Sequence, residues 1–96
     1  MRYYDTFFRK QGDRKIWEGF RINWLPLALQ EAARRKLRML NSAQSLLDLQ
    51  VPPSNRLEKL KGDLREYHYV RVNDQWRIIF IWESGNAEKV TLIDYH

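Results

Sequence analysis

The chain has 96 residues, no cysteine, only two histidines, a net charge of +5 and a hydrophobic fraction of 44%. This is one small domain with enough apolar and aromatic mass for a single core, which excludes disorder, a disulfide framework and a thiolate metal site. No stretch approaches the roughly 20 apolar residues of a membrane span. Neither a membrane anchor, a metal nor a cofactor is therefore expected.

The opening Met1–Phe8 stretch lacks the long apolar core and small-residue cleavage pattern of a signal peptide, so a soluble, cytoplasmic protein is expected. Sixteen of the seventeen Lys and Arg, but nine of the twelve acids, lie between Arg2 and Arg77. A basic body of this kind suits an anionic partner, nucleic acid first, or serves solubility alone.

No repeat or linker divides residues 1–96, which read as a single domain. The aromatic segment from Arg2 to Phe8 has the composition of a strand. Gly12 and Asp13 precede Arg14-Lys15-Ile16-Trp17-Glu18, which fits a short helix ending at Gly19. The strongest helical pattern runs from Pro26 to Met39 or Leu40, where Leu25, Leu29, Ala33, Leu37 and Leu40 recur at spacings of four and three. Proline suits a first helical turn because its missing N–H would find no partner there. Arg34, Arg35 and Arg38 fall beside or opposite the apolar stripe, and Glu31 is spaced to pair with Arg35. The arginines are either a solvated helix face or a set of phosphate contacts.

Leu46–Leu49 reads as a further helical turn or an apolar loop, and Val51-Pro52-Pro53 as extended or turning chain. Beyond it the period falls to two. Leu57 and Leu60 suggest a short strand, and Gly62-Asp63 a turn out of it. In Tyr67–Asn73, His68, Val70 and Val72 share one face, while Tyr67, Tyr69 and Arg71 share the other. Asn73-Asp74 marks a turn. Trp76–Trp82 is apolar on both faces except at Arg77, as a central strand would be. Ser84-Gly85-Asn86 turns again before a last strand from Lys89 to Tyr95. Helices followed by hairpin-connected strands read as α+β, with helices on one face of an antiparallel sheet.

Arg77 is the most informative single residue. A guanidinium in a strand of Ile, Phe and Trp needs a carboxylate partner, such as Glu58, or an opening on the sheet. In the last strand Asp94 and His96 share a face and Tyr95 takes the other, so Asp94 is placed to support a charged His96 unless the end of the chain is frayed. Arg56, Lys59, Lys61 and Arg71 add cations near the same sheet, with Tyr67, Tyr69, Trp76 and Tyr95 as flat rings. Cations for phosphates and rings for unstacked bases make a single-stranded RNA site; the rings equally fill a core. Cleavage of RNA without a metal needs a base for the 2′-OH, an acid for the leaving 5′-oxygen and cations for the phosphorane. His96, Asp94, Tyr95 or Glu58 are the proton-handling candidates, and Lys59, Lys61 and Arg77 the charge-stabilising ones.

Four runs in fixed order carry a resemblance: Asn55-Arg56-Leu57-Glu58-Lys59-Leu60-Lys61-Gly62-Asp63, then Arg71-Val72-Asn73-Asp74-Gln75-Trp76-Arg77-Ile78, then Glu83-Ser84-Gly85-Asn86-Ala87, and terminal Asp94-Tyr95-His96. The chain resembles the HigB toxins of the RelE/ParE superfamily of bacterial type II toxin–antitoxin systems. The resemblance implies a RelE-like fold, with an N-terminal strand and two helices packed on a C-terminal antiparallel β-sheet. It also implies an endoribonuclease that cuts mRNA in the ribosomal A site, neutralised by a HigA-like helix-turn-helix antitoxin, with operator DNA met only through the antitoxin complex. By position it implies a catalytic set of Glu58, Lys61, Arg77, Asp94, Tyr95 and His96. Arg34, Arg35, Arg38, Arg56, Lys59, Arg71 and Trp76 are the residues expected to contact RNA or the ribosome. Some members carry histidine at the position of Glu58, so this chain has either a glutamate in the proton transfer or a structural glutamate with His96 doing the work. The alternative within the superfamily is a ParE-like, non-catalytic inhibitor of DNA gyrase.

Overall fold

The computed structural model describes residues 2–4 and 26–94. Five strands form one antiparallel sheet: β1 (Arg2–Tyr4), β2 (Glu58–Lys59), β3 (His68–Arg71), β4 (Trp76–Glu83) and β5 (Asn86–Asp94), in the spatial order β1-β5-β4-β3-β2. The helix α1 (Leu27–Ser42) packs on one face. This is the expected α+β arrangement with β4 central. The second expected helix, at Arg14–Glu18, lies outside the described residues.

α1 starts one residue after Pro26, whose extended backbone (ψ 140°) leaves its carbonyl free to accept the N–H of Gln30 at 3.1 Å. The helix ends where Ala43 turns extended and donates to the carbonyl of Met39. Leu29, Ala33, Leu37 and Leu40 are all buried against Val70, Val72, Ile78, Phe80, Val90 and Leu92, so the spacing of the apolar stripe is what seats the helix. Among the described residues Glu31 and Arg35 form no ion pair, and both are exposed. An exposed pair at this spacing contributes only a few tenths of a kcal/mol, about what holding two long side chains together costs.

The stretch between α1 and β2 makes two 3₁₀ turns, Leu46–Gln50 and Pro53–Asn55. Asp48 accepts the N–H groups of Gln44 and Ser45, closing the entry to the first. Asn55, only 1% exposed, ties this stretch to the helix. It accepts from Lys36 Nζ at 2.6 Å and donates to the carbonyls of Leu49 and Val51.

β3 and β4 are joined through Asn73, whose side-chain oxygen accepts the N–H groups of Gln75 and Trp76 at 2.9 and 2.8 Å. β4 and β5 are joined by Ser84 and Gly85, with φ of +52° and +77°, the mirror-image turn whose twist suits a two-residue hairpin. Ile79 faces Thr91 but Ile81 faces Glu88, so β5 carries one extra residue there. Lys89 takes up the bulge with φ +51°. The bulge keeps Val90 and Leu92 on the α1 side of the sheet. A smaller cluster of Leu60, Tyr69, Ile79 and Ile93 occupies the other face, with Leu64 and Tyr67 against it.

Candidate functional site

The register decides which candidate residues meet. Glu58 stands opposite Tyr69, and Arg71 opposite Arg77, while Arg77 faces Ile93 on its other side. Residues directly opposite across an antiparallel pair share a face. Glu58, Tyr69, Arg71 and Arg77 therefore lie together on the sheet face away from α1.

The contacts among them are specific. Tyr69 donates its phenolic hydrogen to Glu58 Oε2 at 2.5 Å. The Arg77 guanidinium lies over the Tyr69 ring, 5.8 Å from its centroid, and donates through Nη1 to the carbonyls of Asn73 and Trp76. Arg71 is bonded to Asp74 of the adjoining turn. Glu58 and Arg77 thus meet through Tyr69, instead of forming the direct pair that an arginine in an apolar strand suggested. Arg71 and Arg77 are opposite in the register, the first paired with Asp74 and the second held by main-chain carbonyls.

Asp94 stands opposite Trp76, on the α1 face, and is 6% exposed. Its Oδ2 accepts from Gln75 Nε2 at 3.3 Å. The structure therefore separates Asp94 from Glu58 and Arg77 by the thickness of the sheet. Tyr95 and His96 lie outside the described residues. Lys61 is exposed in the turn that follows β2, and Arg56 is exposed with a left-handed backbone (φ +47°) at the end of the second 3₁₀ turn. Arg35 and Arg38 are exposed and Arg34 half-buried on α1, across the sheet from Tyr69. Trp76 is 8% exposed among Val72, Ile78 and Leu92, so its ring fills the core and offers no open stacking surface.

Tyr69 was legible only as one ring among several. Its role depends on a register that the Gly62–Leu64 turn sets. Lys59 belongs elsewhere: it faces His68 and lines a hollow of about 490 Å³ at the far end of the sheet, together with Glu66, Trp82, Glu88 and Lys89. His68 stacks on Phe80 with ring centroids 6.1 Å apart, and its Nδ1 is buried with no hydrogen bond from the described residues. Burial first, and the Lys59 ammonium second, hold its pKa below the ordinary 6.5. In the folded protein the neutral ring is favoured, so the unfolded chain binds the proton more readily below pH 6.5. Stability should therefore fall as pH drops from above 6.5 through the folded value. Urea midpoints at about pH 7.5 and 5.5 should show a steeper loss for the wild type than for His68→Phe; equal slopes would refute the assignment.

A profile of the family described as the RelE-like toxin of the type II toxin–antitoxin system HigB matches residues 5–96. The chain belongs to the HigB-like toxin family. It is 43% identical over 72 residues to Toxin HigB-1 of Vibrio cholerae serotype O1, covering 75% of each chain. It is also 32% identical over 68 residues to an uncharacterised protein of Haemophilus influenzae, covering 71% of this chain and 67% of that one. The HigB-like family places the chain as the toxin of a type II system, whose partner is a protein antitoxin.

Proposed function

We propose that this toxin is a ribosome-dependent endoribonuclease that cuts mRNA in the A site and so stops translation in the cytoplasm. The observation that carries the reading is the Glu58–Tyr69–Arg77 arrangement with Arg71 opposite Arg77 in the register: a carboxylate that accepts a tyrosine hydroxyl beside an arginine held over the same ring, on one sheet face. Glu58 takes the proton of the ribose 2′-OH, and the 2′-oxygen bonds to phosphorus. Arg77, Arg71 and Lys61 stabilise the charge on the phosphorane oxygens. The bond from phosphorus to the 5′-oxygen breaks, and that oxygen takes a proton from His96, leaving a 2′,3′-cyclic phosphate and a 5′-hydroxyl. In this scheme Asp94, on the opposite face, holds the end of β5 to Gln75 of the β3–β4 turn, and Tyr95 assists His96. Arg34, Arg35 and Arg38, on the far layer, with Arg56 and Lys59, serve contact with ribosomal RNA. The antitoxin is HigA-like, with a helix-turn-helix that carries the complex to operator DNA.

Primer extension on an mRNA incubated with the protein should show cuts inside the coding region when ribosomes translate it and none when ribosomes are left out. Intact mRNA with impaired supercoiling by DNA gyrase would reject the nuclease reading in favour of a ParE-like inhibitor.

A further inference from the structure

We propose that Tyr69 is a positioning residue that holds Glu58 as the proton acceptor of the cleavage step, an inference that rests on the nuclease reading above. Glu58 is exposed on a two-residue edge strand, where a glutamate side chain ordinarily samples many rotamers. Tyr69 removes that freedom. Its ring is 9% exposed and seated on Leu60, Ile79 and Ile93. Arg77 lies over the same ring, and the phenol reaches across the strand pair to Glu58 Oε2 at 2.5 Å. With one carboxylate oxygen held, the direction in which the other presents its lone pairs is set.

The polarity of this hydrogen bond bears on the role of the glutamate. The phenol is the donor and the carboxylate the acceptor, so one carboxylate oxygen is occupied by Tyr69 and the other is left for the ribose hydroxyl. The proton on the leaving 5′-oxygen then comes from a different group, for which His96 is the candidate. Glu58 returns its proton to solvent after product leaves, and His96 regains one, so the cycle balances. Tyr69 also joins the two halves of the site. The ring that supports the Arg77 guanidinium carries the hydroxyl that fixes the base, so proton acceptor and phosphate cation keep a set separation.

The test uses the whole chain on programmed ribosomes, with kcat and KM measured for the wild type, Tyr69→Phe, Glu58→Gln and the double variant, and thermal unfolding as a check on folding. Tyr69→Phe should lower kcat about 10- to 100-fold, the scale of one hydrogen bond to a charged group, with KM nearly unchanged. Added to Glu58→Gln, it should produce almost no further loss, because the group it positions is already gone. Wild-type kcat in Tyr69→Phe, or losses that simply multiply in the double variant, would overturn the proposal while leaving the nuclease reading in place. A wild-type protein that cuts no mRNA would remove both. If Tyr69→Phe does not fold, Glu58→Asp serves instead: it keeps a carboxylate but withdraws it from the phenol by one methylene. It should lose kcat by a similar factor, and an undiminished kcat would again overturn the proposal.

Discussion

Changing Arg77 to alanine is expected to lower ribosome-dependent cleavage of mRNA by roughly 10²–10³-fold, the usual loss when one preorganised charge-stabilising donor is removed. The guanidinium is set in place by the carbonyls of Asn73 and Trp76 and by the Tyr69 ring, so under the proposed scheme it need not reorganise when charge develops on the phosphorane. Those same carbonyls belong to the β3–β4 turn, so the variant also loosens that hairpin. Arg77→Lys separates the two effects. A lysine keeps the charge but loses the planar fork and the stacking on Tyr69, so it should recover only part of the activity. Both proteins should remain folded by thermal unfolding, and growth arrest in cells should track cleavage. Full activity in folded Arg77→Ala would remove Arg77 from the site.

Phe80→Ala is expected to be the most damaging change to the fold, at about 3–5 kcal/mol in urea unfolding. Phe80 is fully buried at the centre of β4, stacked on His68 and packed into the cluster beneath α1. Its removal opens a void that the flanking strands are too constrained to fill. A loss of that size is a large share of the 5–15 kcal/mol that stabilises a typical domain. Leu47→Ala provides the contrast: Leu47 is 69% exposed, and its loss should change stability by no more than about 0.5 kcal/mol. Comparable losses from the two variants would mean that the core is not centred on β4.

The elements of this fold were legible wherever period and composition acted alone. The spacing of Leu29, Ala33, Leu37 and Leu40 marked the buried face of α1, and the alternation in β3 separated Val70 from Tyr69. The apolar run of β4, interrupted only at Arg77 before Glu83, marked a strand covered on both faces. What alternation could not supply was register between strands distant from their turns. The Tyr69–Glu58 bond depends on the path of the Gly62–Leu64 turn, and the placement of Asp94 on the α1 face depends on its pairing with Trp76. The hollow beside His68 depends on a bulge at Lys89, a residue with no special tendency toward positive φ. The burial of Trp76 followed the same logic: its parity is plain, but only the position of α1 shows which face is covered.

The edge position of β2 bears on how such a protein diversifies. The strand is two residues long and both are exposed, whereas Tyr69, Ile79 and Ile93 beside it are buried. Exchanging an exposed edge side chain changes stability little, so the thermodynamic penalty for altering Glu58 is small, while under the proposed cleavage scheme its effect on reactivity is large. The tyrosine that meets it is inside the molecule and far less replaceable. Change at the rim, over a buried floor, would let the proposed proton-handling group vary without any unfolded intermediate.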